Sequence, residues 1–456
     1  MDEAVTDRPR GERAARPRRS LLRRLGRSRS RCIVLALDGI SEPDLRVAIE
    51  RGLVPNLAAL ARSGTLMPIR SSLPAVSSVA WSSFMTACNP GRHGIFGFTH
   101  PRPEDNAIHF PSSADLRTPT LWERAAADGF RSVVVNLPAT YPARPMKGSL
   151  VAGFVAPNLE RACHPPGLAA RLASMHYVID VDVSGSRIDE SAFLEHVLAV
   201  LERRIAAMES LLADDDWSLA VLAFTEADRL QHVAYGRAHH DEGPVRAAFD
   251  RWFARIDAFL GRLLGRYADA AVLALSDHGF GPLHRYVNLD GWLEEHGYRR
   301  RGDASPAGDR AFSLDPGRVY VNATNVFGSG RVAPGEIRGL VAEIADGLAA
   351  LTDPATGEPI IGAVVRRRDA YRGPRSRLGP NLVCVPRRGY ELKSSRRLPL
   401  ISDVTDFEGT HTADDAFFLS DRPATRHDGS VEDVGATVLA QLRLHLDDVD
   451  GRSLVA

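Results

Sequence analysis

The sequence predicts an α/β fold, a mainly parallel central sheet with helices on both faces and a smaller inserted lobe. Three observations carry that prediction. From residue 32 onward, apolar runs of strand length alternate with amphipathic stretches of helical period. The runs are apolar at nearly every position, the pattern of parallel strands covered on both faces. Three of them lead on their carboxyl side into an acid, Asp38, Asp228 and Asp277. That is the edge at which open α/β sheets bind ligands.

"CIVLALDG" (32–39) is the first buried-type strand, and "EPDLRVAIERG" reads as a helix stopped by Gly52. "RSVVVNLPA" (131–139) is a second strand. The long amphipathic stretch 192–216 feeds "WSLAVLAFTEAD" (217–228), and a second such helix, 244–268, leads into "DAAVLALSDHG" (269–279). Strand and helix alternating in this way is the signature of a helix-covered parallel sheet. Residues 280–400 break the rhythm: they are rich in turns and Arg, with one long helical stretch at 334–351. They read as an excursion from the core, a small lobe over the site. "VEDVGATVLAQLRLHL" (431–446) reads as a final packing helix. The expected organisation is an arm over residues 1–31 and one catalytic domain over 32–446, with an insertion or cap at about 280–400.

The formal net charge of zero hides an asymmetry. Residues 1–31 hold eleven Arg against four acids, so the arm carries +7 and the remainder −7. The arm lacks the apolar centre of a signal peptide, and its composition is that of a disordered solvated segment. No run of about eighteen apolar residues occurs anywhere, so no transmembrane helix is expected. Four scattered cysteines without a C-x-x-C pair argue against a disulfide framework or a thiolate zinc site and for a reducing compartment. The expected location is cytoplasmic, with peripheral contact between the basic arm and anionic lipid as the alternative.

Metal-ligand chemistry is concentrated in three pieces. "TEADRLQHVAYG" sets Asp228 and His232 four residues apart, on one side of a helix. "SDHG" puts Asp277 and His278 together at a strand end, and "EGTHTADD" supplies His411 in a Gly-containing loop. A lone Asp at such a place is usually a cap or turn residue, and a lone His is usually structural. Several together describe a cation site, and mixed Asp/His sets suit zinc or manganese better than calcium.

These pieces, with "LALDG", "SSLPAVSSVAWSSFMTACNPGRHGIFGF", "VNLDGWLEEHGY" and "GTHTADDAFF", resemble the alkaline phosphatase superfamily in its type I phosphodiesterase and nucleotide pyrophosphatase branch. They occur in family order over roughly residues 32–420. The resemblance implies an alkaline-phosphatase-like fold and two divalent metal ions, Zn2+ with Mn2+ as the alternative. One ion would be held by Asp38, Asp277, His278 and the nucleophile, the other by Asp228, His232 and His411. In this branch the nucleophile lies nine residues before a Thr-Gly pair, which reads Thr86-Ala87 here and implies Ser77, with Ser78 in reserve. Val79 replaces a usual Pro, and Ala80 replaces an Asn that binds a phosphoryl oxygen in nucleotide pyrophosphatases. That second departure weakens any assignment of a nucleotide substrate.

Cys88, Pro90 and Arg92 also spell C-x-P-x-R, the pattern whose cysteine sulfatases oxidise to make their nucleophile. Here the cysteine follows the end of the Ser77 helix rather than starting it, so the match is one of spelling. The expected activity is metal-dependent hydrolysis of a small phosphate ester or diester through a phosphoserine, without specific nucleic-acid binding. A phosphonate hydrolase or phosphoryl transferase with the same site is the alternative. Outside enzymes, the alternative is a metal-binding protein that recognises phosphorylated partners.

Overall fold

The structure, a computed structural model, describes residues 31–456 apart from 187, 215, 301–307, 396 and 406. The Arg-rich arm, residue 31 excepted, lies outside the described residues.

Eight strands form the central sheet, in the order Thr65–Ile69, Ala416–Ser420, Ala271–Leu275, Cys32–Leu37, Leu219–Phe224, Ser132–Leu137, Gly148–Ala152 and Cys163–His164. The five strands from Ala271–Leu275 to Gly148–Ala152 are mutually parallel, and antiparallel strands close both margins. Cys32–Leu37 lies between the other two acid-bearing strands. Its register pairs Leu37 with Phe224 and Ala36 with Leu275, so the three strands end together.

Every residue of Cys32–Leu37 is buried, and alternate side chains serve opposite faces. Ile33, Leu35 and Leu37 enter the core beneath the helices Pro55–Ser63, Glu190–Leu212 and Pro244–Arg266. Val34 and Ala36 enter the core beneath Ser77–Thr86, Leu121–Ala127 and Val431–Gln441. The period-two geometry of a strand therefore requires an apolar residue at each position, which is why the run lacks the alternation of a half-exposed strand.

Residues 280–400 are more ordered than their turn-rich composition suggests. An antiparallel sheet of Ala311–Leu314, Arg318–Val321, Leu382–Pro386 and Ile361–Arg366 packs with the helix Ile337–Ala349 around its own apolar cluster. A further sheet begins at the carboxyl edge itself. The strand Gly279–Asn288 starts immediately after His278 and pairs with Gly409–Thr412, setting Phe280 opposite His411. His411 thus sits on a short strand, not in the loop expected from its glycine. Ladder pairing to the segment after His278 fixes its position.

Candidate active site

The seven residues singled out from the sequence converge at the carboxyl edge of the sheet. Asp38 follows its strand directly, and Asp277 stands two residues beyond Leu275, the last residue of its strand. Asp228 lies further on, in the first turn of the helix Glu226–His240, and not at the strand terminus itself. Asp38, Asp228, Asp277 and His278 are all buried. Gly39 makes this crowding possible. Its φ is +72°, and an added Cβ would stand 3.1 Å from Asp228 Cβ and from the Phe280 ring.

Ser77 opens the helix Ser77–Thr86. Its Oγ stands 3.4 Å from Asp38 Oδ1 and 3.2 Å from His278 Nε2. His278 Nε2 is in turn 3.2 Å from Asp277 Oδ2 and 3.7 Å from Asp38 Oδ1. Alongside, His411 Nε2 lies 3.3 Å from Asp228 Oδ1 and 3.0 Å from His232 Nε2, with 3.6 Å between His232 Nε2 and Asp228 Oδ1. The His278 and His411 rings stack at 3.7 Å, so the two clusters adjoin.

The backbone sets the tautomers. Nδ1 of His232 faces the Gly409 carbonyl at 3.0 Å, Nδ1 of His278 that of Gly279 at 3.1 Å, and Nδ1 of His411 that of Ala75 at 3.3 Å. A carbonyl only accepts, so each Nδ1–H donates and each Nε2 keeps a lone pair directed inward. Burial pushes the His411 imidazole down to about 3, and burial also lowers His232. Neutral imidazoles are the ligating form.

Two of the three buried carboxylates are disfavoured as anions, whereas Asp228, against its burial, is lowered by His232, His411 and Arg229. Burial raises Asp38 well above its ordinary value, and the Asp277 and Asp228 charges add to it; burial and the Asp228 charge do the same to Asp277. Asp228 Oδ1 and Asp277 Oδ2 are buried with no hydrogen-bond donor. Two orphaned carboxylate oxygens among three inward lone pairs fit divalent ions. Two groups have ligand atoms close enough to share one: Asp38, Asp277 and His278, and Asp228, His278 and His411.

Sequence reasoning missed the residues that hold the three carboxylates. Trp81 Nε1–H donates to Asp38 Oδ2 at 2.9 Å, and Gly39 N–H to Asp277 Oδ1 at 3.3 Å. Arg229 donates from Nη1 to Asp228 Oδ2 at 2.9 Å and grips Asp180 through Nε and Nη2. The Arg beside Asp228 was visible as a neighbour; Asp180 lies in a segment with no pattern. Ser78 does not join the cluster. Its buried Oγ has no partner, and the residue lines a separate pocket. Cys88 lies past the far end of the Ser77 helix, whose ten residues span about 15 Å, and burial raises its thiol.

A doubly wound sheet with an acid- and histidine-rich carboxyl edge and a hydroxyl at a facing helix start defines a metal-dependent hydrolase of the alkaline phosphatase superfamily. The sequence profile of the type I phosphodiesterase / nucleotide pyrophosphatase family matches residues 32–414, and the chain belongs to that family of phosphoric ester hydrolases. No curated protein matches the chain by sequence. Among solved structures, phosphonoacetate hydrolase from Sinorhizobium meliloti 1021 in complex with phosphonoformate is similar at a TM-score of 0.61 and 19% identity, with 91% of this chain and 96% of that one covered. Murine ectonucleotide pyrophosphatase / phosphodiesterase 5 is similar at 0.55 and 15%, with 94% and 100% covered. The human counterpart is similar at 0.55 and 14%, with 92% and 97% covered. At these identities the structures attest the fold. Among the described residues, no helix is long and apolar enough to cross a membrane.

Proposed function

We propose that the protein hydrolyses small phosphoric or phosphonic esters by in-line attack of Ser77 Oγ, through a phosphoserine, at a site holding two divalent cations. The observation that carries this reading is the position of Ser77 Oγ, 3.4 Å from Asp38 and 3.2 Å from His278, beside a second Asp/His cluster. Asp38, Asp277 and His278 would hold one ion with Ser77, and Asp228, His232 and His411 the other. The donor set suits zinc or manganese. When bound, such ions supply Lewis-acid activation of a hydroxyl and neutralise charge on the phosphoryl group.

The chain's own residues do the rest. Trp81 and Gly39 aim the two carboxylates beside Ser77, and the three carbonyl-bound Nδ1 groups keep every imidazole turned inward. The first amide to bond within the helix is Val79, to Val76 O at 2.9 Å, so the Ser77 and Ser78 N–H groups precede the ladder. With the positive end of the helix dipole they favour phosphoryl oxygens at this point. Attack by Ser77 expels the leaving group and forms a phosphoserine, which water then hydrolyses, with net retention at phosphorus. The lobe over residues 280–400 would act as the cap that selects the substrate. The likeness to a phosphonoacetate hydrolase makes phosphonates a second substrate class to examine.

The test is a panel of chromogenic phosphomonoester, phosphodiester, phosphonate and sulfate esters, assayed with metal-stripped and zinc- or manganese-restored protein. Turnover of phosphorus esters that disappears on stripping and returns on restoration is expected. Turnover that survives stripping, or a preference for sulfate esters, overturns the proposal.

A further inference from the structure

The helix Glu226–His240 carries more than Asp228 and His232. Its backbone leaves helical geometry at Ala234, with φ −146° and ψ 39°. In an unbroken helix Gln231 and His239 would stand about 12 Å apart along the axis. The break instead returns His239 Nε2 to 3.0 Å from Gln231 Oε1. Gln231 is fully buried, and its Nε2 donates to the Gly39 carbonyl at 2.8 Å. The Gly39 N–H in turn donates to Asp277 Oδ1 at 3.3 Å. One glutamine therefore ties the helix of one candidate ion cluster to the Asp38–Gly39 turn of the other.

Counting donors assigns a proton. The Gly39 carbonyl only accepts, so Gln231 presents its NH₂ there and its carbonyl oxygen to His239. His239 Nε2 must then donate. On the other side of the ring, Nδ1 lies 3.3 Å from Asp44 Oδ1. The second oxygen of Asp44, Oδ2, accepts from the Ser41 hydroxyl at 2.6 Å. A neutral imidazole has one N–H, and here two acceptors face it. Both contacts are made only with one extra proton, between Nδ1 and Oδ1. Burial pushes the Asp44 carboxyl up to about 6 and His239 down to about 4, so that proton resides on the Asp44 side. Among the charged groups around the pair, Asp415 and Arg388 bind each other beside Asp44, and Arg246 and His240 stand on the His239 side. Tyr235, whose ring lies 4.2 Å from that of His239, is pushed up to about 12 by burial and stays neutral.

We propose that Gln231 and His239 are positioning residues for the two-cation site, and that a proton shared by Asp44 and His239 keeps Gln231 bonded to the Asp38–Gly39 turn. The inference rests on the reading of this edge as a two-cation hydrolytic site. When the proton leaves, neutral His239 donates from Nδ1 to the Asp44 carboxylate. Its Nε2 lone pair then faces Gln231 Oε1, and the amide loses the partner that aims it. Because Asp44 is raised, this contribution to the site is full below about pH 6 and is lost above it.

Asp44→Asn separates the proton from the contact. Its amide N–H donates to His239 Nδ1 whatever the pH, and its carbonyl accepts from Ser41. Asp44→Leu does neither. Metal-restored parent and both variants, hydrolysing a chromogenic phosphodiester, are compared by kcat/KM at pH 5 and 7.5. Ratios between them cancel the titration of metal ligands and substrate. Asp44→Asn is expected to match the parent at pH 5 and to exceed it several-fold at pH 7.5, with Asp44→Leu several-fold below Asp44→Asn at both. Calorimetric titration of the metal-stripped proteins with zinc at pH 7.5 should show Asp44→Asn binding several-fold tighter than Asp44→Leu in at least one step. Combined with Gln231→Leu, the two Asp44 variants should no longer differ. A ratio of parent to Asp44→Asn that does not change with pH, equal zinc affinities in the two Asp44 variants, or a difference that survives Gln231→Leu overturns the inference and leaves the proposed function standing. If no ester is hydrolysed, the proposed function fails, and the zinc titrations alone decide the inference by the same criteria.

Discussion

Arg229→Met should weaken one cation site and spare the other. In the parent, Arg229 Nη1 donates to Asp228 Oδ2 at 2.9 Å while Nε and Nη2 bind Asp180, so the strut Asp180–Arg229–Asp228 leaves Asp228 Oδ1 turned toward His232 and His411. The substitution keeps an unbranched apolar side chain but removes the guanidinium over the Phe154 ring and with it the charge-assisted bond. Such a bond contributes about 1.5–3 kcal/mol. Loss of a partner that orients a metal ligand lowers metal affinity by about 10–100-fold. Arg229 is 17% exposed on its side chain, so solvent screening takes the effect toward the lower end. Trp81→Phe is the matched control: it removes the 2.9 Å bond to Asp38 Oδ2 while retaining an aromatic ring beside Phe84. Calorimetric titration of metal-stripped protein with zinc should show two binding steps. Arg229→Met should weaken one step about tenfold or more, and Trp81→Phe the other. Unchanged affinities in Arg229→Met, or both steps falling equally in each variant, would refute the assignment of these residues to separate ions.

Cys88→Ser should leave kcat within a few-fold of the parent, because Cys88 lies beyond the far end of the Ser77 helix; a collapse of activity in a folded variant, or a formylglycine mass at Cys88, would restore the sulfatase reading. Arg204→Ala should destabilise the fold by about 3–5 kcal/mol, since it leaves Glu226 uncompensated in a fully buried pair whose contact is 2.5 Å. Arg204→Met combined with Glu226→Gln should recover much of that loss in chemical denaturation, and no recovery would contradict the explanation. His93 is held neutral by burial, lowered from 6.5 to about 3, with Nδ1 accepting from Ile95 N–H. Its folded value is depressed, so between about 6.5 and 3 the unfolded chain binds more protons, and stability present above 6.5 is lost as pH falls. From pH 6.5 to 5 the loss is about 2 kcal/mol, and His93→Gln should show a correspondingly flatter dependence in urea titrations at those two pH values.

What could be read from the sequence follows from where each signal originates. Asp38 and Asp277 were legible because the runs "CIVLAL" and "AVLAL" are buried on both faces, and strand termini in such sheets lie at one edge. Asp228 and His232 were legible because helical spacing alone puts them on one side. His411 was found as a residue but misplaced as a loop, since its strand exists only by pairing with Gly279–Asn288 more than a hundred positions earlier. The antiparallel sheet built on Ala311–Leu314 escaped for the same reason: its strands of four to six residues between turns carry little periodicity of their own. Trp81, Arg229 and Asp180 escaped as ligand-holding groups because their role is a matter of which carboxylate oxygen they reach. Spacing does not encode that.

The central claim is that Ser77 Oγ attacks phosphorus, and the most direct measurement is phosphopeptide mass spectrometry on metal-restored enzyme quenched with acid during turnover of a chromogenic diester. The expected result is phosphorus-bearing modification of Ser77 in the parent and none in Ser77→Ala, whose kcat falls by about 10³ or more where a nucleophile acts as part of a unit. Modification of Ser78 instead, or an unmodified parent alongside a Ser77→Ala enzyme working at near-parental rate, would contradict it.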